Sequence, residues 1–240
     1  MSEPGGRIMS TMTELVISEV FGPTFQGEGP SAGHRAGFVR VGRCPLACSW
    51  CDTPYTWDWD RFDPAVELRR RTVDDVLAEV DAMAVDLVVI TGGEPLAQRA
   101  GLISLARGLR ERDIRIEVET SGVIAPPPEA VELVDQWNVS PKLANSGMAA
   151  ERRLVPDALA AFVATGRAVF KFVVVDPDDL DEIGALVEAH GLGPVWVMPE
   201  GTDGPTIAAG LRALAEPVLA RGWHLTPRLH VLVWGDRRGV

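Results

Sequence analysis

Three cysteines, Cys44, Cys48 and Cys51, fall inside the stretch Cys44-Pro-Leu-Ala-Cys48-Ser-Trp-Cys51, and the 240-residue chain has no others. Sulfurs this close together and odd in number cannot make a disulfide framework. They read as thiolate metal ligands in a reducing compartment, and the expected location is the cytoplasm. The C-x₃-C-x₂-C spacing suits an iron–sulfur centre. Ordinary [4Fe–4S] clusters take four thiolates, so three leave one iron without a protein ligand. An open coordination position separates catalytic metal sites from closed structural ones, and the open iron is free to be chelated by a substrate or a second cofactor. Two plainer readings compete. Three cysteines and one of the four histidines can hold a structural zinc, although the nearest upstream histidine is His34 and the paired ligands of zinc ribbons are missing. Three unrelated buried thiols would be a coincidence at this density.

Other segments carry polar groups at the ends of apolar runs. The cysteine loop follows Phe38–Gly42. Thr91-Gly92-Gly93-Glu94-Pro95 follows Leu87–Thr91, and its glycines allow backbone to come close to a ligand. Glu119-Thr120-Ser121-Gly122 closes Ile114–Glu119, with a helix-capping turn as the lesser reading of these residues alone. Ser140-Pro141-Lys142 ends Trp137–Ser140, and Glu200 follows Val195–Met198 as a site or loop acid. Trp57 and Trp59 read as pocket walls or as one face of a short edge strand. His190 reads as a helix-end residue and His224 and His230 as late strand residues, and none is assigned to catalysis.

These segments need elements to position them. Strands are expected at Leu15–Phe21, Phe38–Gly42, Leu87–Thr91, Ile114–Glu119, Trp137–Ser140, Val169–Val175, Val195–Met198 and Leu229–Trp234. Several are continuous and β-branched, as strands of buried parallel sheets are. Helices are expected from Thr72 (as N-cap), and over Gly101–Arg112, Pro128–Val134, Pro156–Ala164, Pro177–His190 and Thr206–Ala220. Alternation of the two gives right-handed βαβ units. A closed eight-fold barrel needs about 250 residues, so the expected fold class is α/β, an incomplete, open parallel β/α barrel of about six units. It forms a single domain over residues 15–240, behind a flexible leader, residues 1–14. The run Arg61–Arg71 reads as a solvated basic insertion or, less readily, as a docking patch.

Composition excludes whole classes. The 46% hydrophobic content matches an ordinary globular chain, and no apolar run reaches the ~20 residues of a membrane span. A net charge of −11 argues against general nucleic-acid or anionic-membrane binding, which needs clustered Lys and Arg. A small-molecule substrate is expected.

The cysteine spacing with Trp50, together with the Gly-Gly-Glu, Glu-Thr-Ser-Gly and Ser-Pro-Lys segments, resembles the radical S-adenosylmethionine (SAM) superfamily. Phe25-Gln26-Gly27-Glu28-Gly29-Pro30, Gly37–Gly42, Cys51-Asp52-Thr53-Pro54-Tyr55 and the ending Val231–Val240 narrow the resemblance to the 7-carboxy-7-deazaguanine synthase family, from about Leu15 onward. The resemblance implies an ammonia-releasing lyase that converts 6-carboxy-5,6,7,8-tetrahydropterin to 7-carboxy-7-deazaguanine in the making of queuosine and related deazapurines. It implies a [4Fe–4S] cluster on Cys44, Cys48 and Cys51. It implies SAM against Trp50, Asp52, Gly93, Glu119, Ser121, Ser140, Pro141 and Lys142, and the pterin against Phe25, Gln26, Gly27, Arg40, Thr91 and Val240. Mg²⁺ is implied at Thr53. Arg40 is expected to pair with the substrate carboxylate, and Val240 to reach the pocket as the family's C-terminus does. Implied partners are an electron donor such as a flavodoxin or ferredoxin and a second copy in a homodimer. A glycyl-radical-enzyme activase shares the cysteine spacing but lacks the combination of N-terminal and post-cysteine segments. The reading from another class is a non-catalytic zinc-binding interaction module.

Overall fold

The computed structural model describes residues 13–240. Of the expected leader only Thr13 and Glu14 fall within them, and Glu14 already belongs to a strand; the rest lies outside the described residues.

Along the chain come β1 (Glu14–Phe25), β2 (Arg35–Val41), α1 (Pro64–Glu67), β3 (Arg69–Thr72), α2 (Val73–Met83), β4 (Leu87–Gly92), α3 (Arg99–Arg110), β5 (Arg115–Thr120), α4 (Pro128–Val131) and β6 (Gln136–Val139). There follow α5 (Ala150–Arg153), α6 (Pro156–Ala164), β7 (Ala168–Val174), α7 (Asp179–His190), β8 (Val195–Pro199), α8 (Gly204–Ala220), β9 (His224–Leu225) and α9 (Leu229–Trp234). One sheet runs β3-β1-β2-β4-β5-β6-β7-β8-β9 and its edge strands do not pair, so the barrel is open. From β2 onward every neighbouring pair is parallel, while β1 and β3 extend the sheet antiparallel.

The sheet works because each strand has two unlike faces. Val39, Val41, Val88, Ile90, Ile116, Val118, Trp137, Val139, Phe170 and Phe172 join a continuous core with the apolar faces of α2, α3, α6 and α7. Their neighbours in sequence point to the inner face. There Arg40, Thr91, Glu119, Asn138 and Lys171 replace the apolar residues. The strands are therefore buried on both sides, but only the helix side is uniformly apolar, and the polar inner positions collect toward the strands' C-terminal ends. The helix start at Thr72 is as expected, its hydroxyl accepting from Asp75 N at 3.1 Å.

Two expectations fail. Leu229–Trp234 is the helix α9, not a strand. Its alternating apolar residues suit either state. Here Leu229 N donates to Gly27 O at 2.8 Å, Val231 is buried, and Leu232 and Val233 stay exposed. The sheet has already ended in the two-residue β9, so this segment has no strand to pair with and returns across the cleft. The basic run Arg61–Arg71 is not simply a solvated insertion. It holds the single turn α1, capped by Asp63, and then β3, whose Arg69–Thr72 pair with Ile17–Glu14. A row of arginines has no apolar alternation to announce a strand, and charge is what natural edge strands carry against further pairing.

Candidate active site

A cleft, partly open to solvent, lies at the C-terminal ends of the parallel strands. Cys44, Cys48 and Cys51 line it from the loop after β2; Thr91, Gly93, Glu119, Ser121 and Ser140 from the ends of β4, β5 and β6; and Phe25, Gln26 and Gly27 from the end of β1. Arg40, Trp50, Asp52, Thr53, Lys142 and Val240 complete the expected set around it. Pro141 does not reach the cleft. Of the residues whose role the sequence leaves open, Trp57 and Glu200 line it, whereas Trp59 is exposed and outside it; neither tryptophan is in a strand.

The cysteine loop is braced rather than floppy. Arg43, next to Cys44, has φ 73°, and its carbonyl accepts from Glu94 N at 2.8 Å. A Cβ on Gly93 would sit 1.9 Å from that carbonyl oxygen, and one on Gly92 2.2 Å from Val41 O. The double glycine therefore exists first to let two loops of the protein pass each other, not only to admit a ligand. Trp57 Nε1 donates to Cys51 Sγ at 3.3 Å, and Thr53 Oγ1 lies 3.7 Å from the same sulfur. Burial pushes the Cys44 thiol up to about 12 and raises Cys48 as well. Ligation to a metal has to expel those protons.

Among the described residues no three His, Cys, Asp or Glu side chains close on a point able to hold a single metal ion. Thiols spread along a loop suit a cluster, whose irons bind separate sulfurs.

Beyond the loop, Glu119 is grouped with Gln26 and Thr91 rather than with Ser121. Its Oε1 accepts from Gln26 Nε2 at 3.1 Å and its Oε2 from Thr91 Oγ1 at 2.7 Å. Gln26 Oε1 also accepts from Glu28 N at 3.3 Å, so half of the amide's hydrogen-bonding capacity is spent inside the protein. Arg40 Nε donates to Glu19 Oε2 at 2.9 Å, opposite it across the β1–β2 pair. Lys142 Nζ donates to Ser140 Oγ at 3.0 Å and sits 5.4 Å from the Trp50 ring centroid.

The sequence reading missed a buried charge network on the opposite wall. Glu28 pairs with Lys171 and with Arg228, Arg228 also pairs with Asp52, and Arg228 Nη1 donates to Gly201 O at 2.6 Å. Burial alone would raise the Glu28 carboxyl, but Lys171 and Arg228 outweigh it and hold the group well below the usual carboxylate range. Burial likewise lowers Lys171 and Arg228, and the facing carboxylates more than reverse this. His230, expected in a strand and given no catalytic role, stands on α9 in the cleft wall against Gly27, where burial depresses its pKa. Lone charged residues in apolar strands, such as Lys171 in Phe-Lys-Phe, were the available signal.

The sequence profile of the Radical SAM superfamily matches residues 38–140, from β2 through the end of β6. The 7-carboxy-7-deazaguanine synthase of Pyrobaculum aerophilum is 40% identical over 96% of this chain and 100% of its own length. That of Bacillus subtilis is 31% identical over 94% of this chain and 98% of its own. The crystal structure of QueE from Escherichia coli superposes with a TM-score of 0.68 at 27% identity, covering 89% of this chain and 93% of that one. By its cysteine loop, its open β/α barrel and these end-to-end similarities, the chain belongs to the 7-carboxy-7-deazaguanine synthase family of radical SAM enzymes.

Proposed function

We propose that the protein converts 6-carboxy-5,6,7,8-tetrahydropterin to 7-carboxy-7-deazaguanine with release of ammonia. The observation that carries this reading is the convergence of the cysteine loop, the Gly-Gly-Glu turn, Gln26, Arg40 and Glu119 on one cleft.

The superfamily implies a [4Fe–4S] cluster and SAM, and the residues present fit both. The donor set is three thiols with an indole N–H aimed at one sulfur. Hydrogen bonds to cluster sulfurs tune reduction potential. When bound and reduced, the pair supplies a 5′-deoxyadenosyl radical, able to take hydrogen from the substrate carbon that bears the carboxylate. Cys44, Cys48 and Cys51 would hold the cluster. Trp50, Asp52, Gly93, Ser121, Ser140 and Lys142 would hold SAM, with Lys142 a cation available for its carboxylate.

The substrate half follows from the remaining wall. Arg40, with Nε held by Glu19, keeps both terminal nitrogens for a bidentate pairing with the substrate carboxylate. Phe25, Gly27 and Val240 would bound the ring, while Gln26 and Thr91 orient Glu119 toward it. The geometry supports moving Glu119 from the SAM set to the substrate set. Thr53 offers one hydroxyl beside the cleft, which suits Mg²⁺ because that ion joins few protein groups with substrate oxygens. The surrounding apolar groups, Phe21, Phe38 and Leu46, would exclude water. An external one-electron donor of the flavodoxin or ferredoxin type and a homodimeric state belong to this same proposal.

The test is anaerobic reconstitution with iron and sulfide, then reductant, SAM, Mg²⁺ and 6-carboxytetrahydropterin, read by mass spectrometry. 7-Carboxy-7-deazaguanine with 5′-deoxyadenosine is the expected pair. 5′-Deoxyadenosine alone from a loaded protein would overturn the substrate, and neither product would overturn the reaction.

A further inference from the structure

Val240 lines the cleft, and a single side chain two residues earlier ties its segment down. The Arg238 guanidinium pairs through Nε with Glu19 Oε1 and through Nη1 with Glu67 Oε2 at 2.8 Å. It also lies over the Tyr55 ring, 3.7 Å from its centroid. Glu19 has a second duty. Its other oxygen accepts from Arg40 Nε at 2.9 Å and from Tyr55 OH at 3.1 Å. One carboxylate thus holds the tail on one oxygen and a cleft-lining guanidinium on the other. Glu19, Glu67 and Arg238 are not themselves among the residues lining the cleft. The links from these groups to the cleft lining run through Glu19 to Arg40 and along the chain to Val240.

We propose that Arg238 is a positioning residue: through Glu19 and Glu67 it clamps the segment 235–240 beside the cleft and fixes the Arg40 fork for a carboxylated substrate. The assignment rests on the reading of Arg40 as the carboxylate partner. The physical reason is geometric. A planar guanidinium can satisfy two carboxylates and an aromatic face at once, which a lysine ammonium cannot do with the same orientation. Glu19 anchored on one side only would leave the Arg40 side chain free to rotate away from the fork geometry. Removing the clamp should therefore weaken substrate binding without touching the cluster or SAM.

The experiment compares Arg238→Ala, Arg238→Lys and Glu67→Gln with the wild type, all cluster-loaded. Hydrogen exchange of amides 230–240 reads the clamp directly. Steady-state kinetics with 6-carboxytetrahydropterin reads its effect on Arg40. Faster exchange in Arg238→Ala and Glu67→Gln is expected. So is a substrate KM raised about tenfold in Arg238→Ala with kcat and the SAM Kd little changed, the pattern of lost binding common to ground and transition states. Arg238→Lys should recover part of the KM. Unchanged exchange would overturn the clamp, and faster exchange with an unchanged KM would overturn its link to Arg40. If the wild type fails to turn over the carboxypterin, the substrate reading fails and with it the link to Arg40. The exchange data would then still decide for or against the clamp.

Discussion

Glu94 Oε2 accepts both the backbone N–H of Ser121, at 2.9 Å, and its hydroxyl, at 2.5 Å. Its Oε1 accepts from Thr120 Oγ1 at 2.8 Å and from Leu96 N at 3.2 Å, and the residue has no exposed surface. The acid after the double glycine is therefore spent on the protein. It bolts the turn after β4 to the end of β5, two segments proposed to hold SAM.

Glu94→Gln should loosen both at once. An amide cannot accept from all four donors, and each lost hydrogen bond to a charged group costs about 1.5–3 kcal/mol. A lower denaturation midpoint and a SAM Kd weakened about tenfold are expected from urea titration and equilibrium dialysis. Unaltered SAM affinity in a destabilised variant would confine Glu94 to stability.

Trp57→Phe removes the N–H that faces Cys51 Sγ and keeps an aromatic wall. A net hydrogen bond of about 0.5–1.5 kcal/mol corresponds to roughly 20–65 mV for a one-electron couple. The donor favours the more negative, reduced cluster, so its loss should lower the potential by that order. Anaerobic redox titration followed by EPR measures it, and a higher or equal potential would contradict the bond's role.

Glu28→Gln strands Lys171, whose side chain is buried on the inner face. Breaking one side of a buried pair costs about 3–5 kcal/mol. The double variant Glu28→Gln with Lys171→Met should recover a good part of that, because no uncompensated charge remains. Equal stability of the single and double variants in chemical denaturation would show that the pair is not coupled.

His230 sets an acid sensitivity. Its folded pKa lies below the unfolded value of about 6.5, through burial and despite Glu28 nearby. The unfolded chain thus binds the proton first, and stability falls as pH drops from about 6.5 toward the folded value. Glu28 acts lower down: its folded pKa is depressed, so its contribution is whole above about 4.3 and fades only below that. Wild type should lose more stability than His230→Gln between pH 7 and pH 5. Parallel losses would remove His230 from the pH response.

Much of the site was legible because it is local. A C-x₃-C-x₂-C loop, a double glycine after an apolar run and polar residues at strand ends need only neighbours in the chain to be recognised. The β/α alternation was legible for the same reason, with Pro156–Ala164 and the Thr72 cap as expected. Other features were not. The arginines of β3 form a strand because β1 offers an edge, and Leu229–Trp234 coils because β9 leaves it none. Arg228, Asp52 and Glu28 meet across 176 and 200 residues of sequence.

The sequence by itself determined the cysteine spacing, the central β/α alternation and the family resemblance, since these depend on residue type, spacing and period. Only the tertiary structure decided which charges neutralise one another. Glu94 proved a bolt, Gln26 a residue already bonded, Glu119 a partner of Thr91, and Arg238 a neighbour of Glu19. Ion pairs and hydrogen bonds form between groups that folding brings within about 3 Å, and sequence distance carries no information about that separation.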